Sequence, residues 1–189
     1  RFNAYNLLAV LATLLASDVS LDQAIEAISQ IKPVAGRMQQ LGGGRQPLVV
    51  IDYAHTPDAL EKVLLALREQ TKSKLYCVFG CGGNRDQGKR PLMGEVVSRL
   101  ADTSIVTSDN PRFENPAEII SAVVAGMSGD YQIEPDRAMA ITCAINAAQP
   151  GDVVLIAGKG HEEYQEIAGV RHPYSDIEAA ESALARRRS

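Results

Sequence analysis

From Leu48 onward the sequence alternates apolar runs of strand length with stretches of helical periodicity. This alternation restricts the fold more than any other feature. Residues 48–53, 75–79, 104–107 and 152–157 read as strands, and 131–133 as a shorter one. Helices fall between them. Thr56-Pro57 supplies an N-cap and a proline at the first helical position, and Leu60, Val63, Leu64 and Leu67 then recur on one face. Residues 91–100, a stretch from Asn115-Pro116-Ala117-Glu118 to about Ala125, and 137–148 repeat the pattern. Ser175-Asp176-Ile177-Glu178 reads as a capping box for a last helix, and 164–173 as a hairpin around Gly169. Such alternation predicts an α/β fold: a doubly wound, mainly parallel sheet with helices on both faces.

The first 33 residues differ. Residues 4–16 are almost wholly apolar, and their length and Ala/Leu content predict a buried helix. Ser20-Leu21-Asp22-Gln23 is a capping box for a second helix ending near Ile31, with Pro33 as its stop. Residues 42–47, Gly-Gly-Gly-Arg-Gln-Pro, read as a flexible turn, either a hinge or a hairpin leading into the main domain. The chain opens at Arg1 without Met, so it is expected to be cut from a longer polypeptide.

Apolar residues make up 46% of the 189, enough for a buried core, but aromatics are 5% and Trp is absent, so that core must be Ala, Val, Ile and Leu. Net charge is −4, and no basic stripe precedes Arg186-Arg187-Arg188, which suits a helix C-terminus. Nucleic acid is therefore not an expected partner. Cys77, Cys81 and Cys143 show no disulfide spacing; Cys77 and Cys143 lie in apolar runs and read as small core residues of a cytoplasmic protein. No metal-ligand set, membrane-spanning segment or signal peptide is evident.

Four of the strands run into polar or glycine-rich loops: 52–58, 80–90, 109–112 and 158–163. In a parallel sheet these gather at one edge, where open α/β sheets bind ligands. In Asp109-Asn110-Pro111-Arg112, Asp109 can accept from an ammonium, Asn110 can donate and accept, Pro111 stiffens the backbone and Arg112 offers a fork to a carboxylate. Such a set suits a zwitterionic amino acid; a plain Asn-Pro turn is the alternative. Gly80, Gly82, Gly83 and Gly88 permit close backbone approach, and Arg85, Lys89 and Arg90 add charge for carboxylate or phosphate, yet Arg85 stands where a dinucleotide fingerprint needs glycine. Lys159 is followed by Gly160, which excludes a Walker-A loop; Glu162 can accept from an ammonium and is expected to matter more than Lys159, and His161 is either a structural cap or a proton shuttle. Asp52 suits ribose hydroxyls or a turn, and Arg37 phosphate or solvent. No catalytic triad or paired-carboxylate motif stands out, so no catalytic residue is assigned in this chain.

Arg1-Phe2-Asn3 with Asn6, Gly36-Arg37-Met38, Asp52-Tyr53-Ala54-His55-Thr56-Pro57, the stretch 80–94, Asp109-Asn110-Pro111-Arg112 and 158–162 together resemble the C-terminal part of the Mur ligases, the ATP-dependent amino-acid-adding enzymes of peptidoglycan synthesis. Within that family they resemble the diaminopimelate-adding branch. The resemblance implies that 1–33 are C-terminal helices of a central ATPase domain or linker, and that 34–189 are a Rossmann-like amino-acid-binding domain. It implies a parent enzyme that joins meso-2,6-diaminopimelate to UDP-MurNAc-L-Ala-D-Glu through an acyl phosphate, with ATP and Mg²⁺ held mainly by the central domain. This chain alone is then expected to be inactive, and the enzyme monomeric. Diaminopimelate would meet Arg85, Asp109, Asn110, Pro111, Arg112, Gly158 and Glu162. ATP would meet Asn3, Asn6, Arg37, Asp52 and His55. The lysine-adding members lack an arginine at the Arg112 position, so Arg112 implies the second carboxylate of diaminopimelate. Two alternatives stay open: another Mur ligase or folylpolyglutamate synthetase-like enzyme, and a non-catalytic amino-acid- or nucleotide-binding module.

Overall fold

The computed structural model describes residues 2–31 and 34–187, with side chains of the first helix from Asn6 onward. Arg1, Pro33 and Arg188, each read in the sequence, lie outside the described residues. The chain divides into two units, Arg1–Val34 and Ala35–Ser189.

The first unit holds α1 (Phe2–Ala16) and α2 (Leu21–Ser29). The capping box at the start of α2 is present in both directions: Ser20 accepts from the Gln23 N–H, and the Gln23 side chain accepts from the Ser20 N–H. The expectation of a buried first helix does not hold. None of the described α1 side chains is buried, and Leu8 is 58% exposed. A helix apolar on all sides needs neighbours on all sides, and this unit offers it one other helix.

The second unit contains β1 (Gln39–Gly42), β2 (Leu48–Asp52), α3 (Pro57–Gln70), β3 (Leu75–Phe79), α4 (Lys89–Leu100), β4 (Thr103–Val106), α5 (Pro116–Val124), β5 (Gln132–Ile133), α6 (Arg137–Ala147), β6 (Val153–Ala157), β7 (Tyr164–Ile167), β8 (Val170–Pro173) and α7 (Asp176–Arg186). The main sheet runs β1-β2-β6-β3-β4-β5. Every neighbouring pair is parallel except β1 with β2, which form an antiparallel hairpin around the Gly42-Gly43-Gly44 turn. The glycine-rich stretch is thus a hairpin, and β1 escaped notice because Gln39-Gln40-Leu41-Gly42 carries no apolar run. The doubly wound, mainly parallel sheet matches the expectation.

Strand residues alternate between two cores. Val50, Leu75, Cys77, Phe79, Val106, Val153 and Leu155 pack under α3, α4 and α5. Val49, Ile51, Tyr76, Val78, Ile105, Val154 and Ile156 pack under α6 and α7. Coverage on both faces explains why the strands read as unbroken apolar runs. Leu60, Leu64 and Leu67 anchor α3, each contributing about 1.5–3 kcal/mol on burial. Cys77 is buried as expected, but Cys143 is exposed and Cys81 is buried, its sulfur 3.5 Å from that of Met93. On α6 the covered stripe is Ala140, Ile141, Ala144 and Ile145, which leaves position 143 on the outer face. The Ser175 box is half formed: its hydroxyl accepts from the Glu178 N–H, and no return bond is seen among the described residues.

Candidate functional site

Because β2, β6, β3 and β4 are parallel neighbours, the loops that follow them meet at one edge. They enclose a cleft of about 500 Å³. Tyr53, His55 and Thr56 line it from the β2 loop, Gly80, Cys81, Gly82, Arg85, Asp86 and Lys89 from the β3 loop, Asp109, Asn110 and Arg112 from the β4 loop, and Gly158, Glu162 and Tyr164 from the β6 side. Six of the seven residues expected to meet the amino acid therefore line one cavity; Pro111 is buried between Asn110 and Arg112.

Arg112 adopts left-handed backbone geometry, with φ of 53°. Its N–H donates to the Glu166 carbonyl at 3.0 Å, and its own carbonyl accepts from the Ala168 N–H at 2.6 Å, so the β7–β8 hairpin braces the loop. The guanidinium donates through Nη1 to the Gly83 carbonyl at 2.8 Å, and Nε stands 3.5 Å from Glu166 Oε2. These contacts hold the fork in place while its side chain keeps 16% exposure toward the cleft. Gly83 is needed here: a Cβ would lie 2.0 Å from the Pro111 carbonyl oxygen.

The β3 loop is tied down by Glu114, which the sequence reading did not single out. Its carboxylate accepts from the Asn84 N–H, from Gln87 Nε2 at 3.4 Å and, with both oxygens, from Arg90 Nη2 at 2.9 and 2.8 Å. The Asn84 N–H, and then Arg90, hold this carboxyl below its usual pKa. Arg90 is 3% exposed and committed to Glu114, so of the three basic residues expected to face ligand it is the one withheld. Arg85 is exposed and lines the cleft, as does Lys89, whose Nζ donates to the His55 carbonyl at 2.7 Å.

The floor is a chain of buried polar groups. Asn110, 2% exposed, accepts at Oδ1 from Lys159 Nζ at 2.8 Å and from the Glu166 N–H at 2.9 Å, and donates through Nδ2 to Glu162 Oε2 at 2.8 Å. Three protein groups thus hold its amide, and these bonds do not use the second hydrogen of Nδ2. Lys159 is wholly buried, donates also to the Tyr164 carbonyl at 2.8 Å, and lies 3.9 Å from Asp109 Oδ1 and 3.7 Å from Glu162 Oε2. Burial lowers its pKa, and the carboxylates of Asp109 and Glu162 act against that. The ranking of Lys159 below Glu162 overlooked this burial. Gly158 has φ of 122°, and a Cβ there would fall 2.6 Å from Asp109 Oδ2.

Beneath Gly158, Arg137 and Asp176 form a fully buried pair, with Nε to Oδ1 at 2.7 Å and Nη2 to Oδ2 at 2.8 Å. Arg137 Nη2 also donates to the Ala157 carbonyl at 3.0 Å, which pins the end of β6. Burial opposes the guanidinium charge, but Asp176 prevails and raises the Arg137 pKa. The sequence reading did not single out this pair: Asp176 looks like an ordinary acid of a first helical turn, while Arg137, a cation at the start of α6 where the helix dipole disfavours it, is the one local sign.

Of the residues expected to meet ATP, Arg37, Asp52 and His55 belong to the second unit and Asn3 and Asn6 to the first. Both oxygens of Asp52 are used by backbone donors: Oδ2 by the Met38 N–H and Oδ1 by the Ala54 N–H, each at 2.9 Å. Asp52 thereby fastens the Gly36-Arg37-Met38 turn to the end of β2. Arg37 is exposed and lies over the Tyr53 ring at 5.0 Å; the His55 and His161 rings stand 4.6 and 5.5 Å from the same ring. Asn3 and Asn6 belong to α1, in the other unit; the Asn3 side chain lies outside the described residues and Asn6 is exposed. No cluster of three His, Cys, Asp or Glu suited to a metal ion occurs among the described residues. No described helix is long and apolar enough to cross a membrane.

The sequence profile of the Mur ligase glutamate ligase domain matches residues 36–160, which carry the loops after β2, β3 and β4 and the start of the loop after β6. The chain belongs to the Mur ligase family. Among relatives of this Mur ligase chain, the UDP-N-acetylmuramoyl-L-alanyl-D-glutamate–2,6-diaminopimelate ligase of Nitrosomonas europaea is 57% identical over 97% of the chain and 38% of its own length. The ligase of the same name from Chromobacterium violaceum is 57% identical, again over 97% of the chain and 38% of its own length. A solved structure of a ligase with that name superposes with a TM-score of 0.79 at 41% identity, covering all of the chain and 39% of the other. The chain thus spans well under half the length of these relatives.

Proposed function

We propose that this chain is the amino-acid-binding part of an ATP-dependent ligase that adds meso-2,6-diaminopimelate to UDP-MurNAc-L-Ala-D-Glu. The observation that carries the reading is the charge pattern of the cleft, in which Arg112 and Arg85 share one cavity with Asp109 and Glu162. A zwitterion with an additional carboxylate needs both signs of charge within one small volume. The guanidinium of Arg112, already braced by Gly83 and Glu166, forms charge-assisted bonds to a carboxylate with little further loss of freedom. Asp109 and Glu162 accept from ammonium groups. Lysine lacks the distal carboxylate and would forgo the charge-assisted bonds to Arg112, worth about 1.5–3 kcal/mol.

ATP, when bound by the parent enzyme, supplies the phosphoryl group that makes the D-glutamate carboxylate an acyl donor. The contribution of this chain is to bind the amino acid, exclude part of its hydration shell and orient one amino group toward that acyl carbon. Such orientation removes entropy from the barrier. The unit Arg1–Val34 is assigned to the preceding domain and Ala35–Ser189 to the amino-acid-binding domain. The enzyme acts in the cytoplasm, where its nucleotide substrates are made.

In the full-length ligase, Arg112→Ala is expected to raise the KM for diaminopimelate by about 100-fold or more, with the KM for ATP nearly unchanged. Equal rises in both would refute the assignment of Arg112 to the amino acid.

A further inference from the structure

Lys159 has no surface exposure, yet it stands at the base of a cleft whose other cations are accessible. An ammonium is a donor only. Its two short bonds go to Asn110 Oδ1 and the Tyr164 carbonyl, both at 2.8 Å. Asn110 Oδ1 receives a second donor, the Glu166 N–H, at 2.9 Å. Neither donor can accept, so the Asn110 amide has one orientation: turning it over would set an NH₂ against an ammonium and an N–H. Nδ2 must therefore face Glu162, and it donates to Oε2 at 2.8 Å. One carboxylate oxygen of Glu162 is thereby fixed from behind, and Oε1 is left for the cleft.

The charges agree with this geometry. Asp109 and Glu162 bring two negative charges to within 3.9 and 3.7 Å of the Lys159 Nζ. One internal cation between two carboxylates leaves a single net negative charge, which suits one incoming ammonium.

We propose that Lys159 is a positioning residue that acts through Asn110 to aim Glu162 at the ammonium of the incoming amino acid. This rests on the function proposed above. Asn110 is then a relay between Lys159 and Glu162, with one N–H of its amide remaining on the side of the cleft that it lines. Glu162 is the group that touches substrate.

The test uses the full-length ligase with three single variants, Lys159→Gln, Asn110→Asp and Glu162→Gln, and the double variant Lys159→Gln/Glu162→Gln. Asn110→Asp keeps an acceptor for Lys159 and the Glu166 N–H but loses the donor to Glu162. Each single variant is expected to raise the KM for diaminopimelate by about 10–100-fold, the loss that follows from a bond to a charged group. The KM for ATP, and kcat at saturating diaminopimelate, should stay within about threefold, because a residue that serves only the fold would move all three. In the Glu162→Gln background, Lys159→Gln should add less than about twofold to the diaminopimelate KM, since residues acting through one another are not additive. A full additional factor there, or an unchanged diaminopimelate KM in folded Lys159→Gln, overturns the proposal. If Lys159→Gln does not fold, Asn110→Asp decides alone: an unchanged diaminopimelate KM overturns the relay. A wild-type enzyme that couples no diaminopimelate overturns the functional reading and this inference with it. An active wild type in which only Glu162→Gln matters overturns the inference alone.

Discussion

Asp176→Asn probes the buried pair that lies under the site. Arg137 and Asp176 are both 0% exposed, and the carboxylate takes two of the guanidinium's bonds at 2.7 and 2.8 Å. After the substitution one oxygen remains, and an amide NH₂ replaces the other, donor against donor. Arg137 keeps its charge even though the raising effect of Asp176 is lost, because a guanidinium does not deprotonate in proteins. One bond to the Ala157 carbonyl at 3.0 Å survives, and Nη1 already lacks a partner among the described residues. A buried cation stripped of its partner costs about 3–5 kcal/mol. At about 2–4 °C per kcal/mol for a domain of this size, the midpoint should fall by about 6–20 °C. Thermal unfolding followed by circular dichroism at neutral pH measures it. The companion variant Arg137→Met/Asp176→Leu removes both charges, and it should recover most of the loss because apolar replacement of a buried pair is often close to neutral. A loss below about 1 kcal/mol in Asp176→Asn, or a double variant less stable than the single, would refute the reasoning.

Two further predictions concern the loops. The Glu114 carboxyl is held below its ordinary pKa of 4.5, so its contribution to stability is complete above that value and is lost as pH falls through the lowered one. Urea midpoints of the wild type should therefore drop more steeply below pH 4.5 than those of Glu114→Gln, and parallel acid limbs would dismiss Glu114 as the anchor of the β3 loop. Gly158→Ala puts a methyl 2.6 Å from Asp109 Oδ2 on backbone with φ of 122°. A loss of about 1–3 kcal/mol in unfolding free energy is expected, together with a raised diaminopimelate KM in the full-length enzyme; a wild-type midpoint and KM would show that Asp109 is free to move aside.

Much of the second unit was legible because its signals are local. Thr56-Pro57, Asn115-Pro116 and the apolar strand runs each mark an element within a few residues, and the structure places α3, α5, β3 and β6 where those marks stand. The loops after the strands were legible for the same reason, as parallel strands deliver them to one edge. β1 was not, since Gln39-Gln40-Leu41-Gly42 is a strand only by pairing with β2. Cys143 was placed in the core by the apolar run around it, which does not say which face of α6 is covered, and Arg90 was read as a loop residue although it lies in the first turn of α4, buried against Glu114.

The mainly parallel direction of the sheet, the gathering of four loops and the presence of both charge signs among them follow from the chain's own pattern of residues, whereas the strand order β1-β2-β6-β3-β4-β5 does not. What each polar group does there was decided by tertiary structure. Asp52, Asn110 and Arg90 have the residue types of ligand readers, yet their hydrogen bonds go to the Met38 and Ala54 N–H groups, to Lys159, Glu166 and Glu162, and to Glu114. Lys159 and Arg137 look like surface cations in sequence and are buried in the fold. The reason is physical: residue type sets how many hydrogen bonds a group can make, while its partners come from distant segments, as Glu166, 56 residues on, does for the Asn110 side chain.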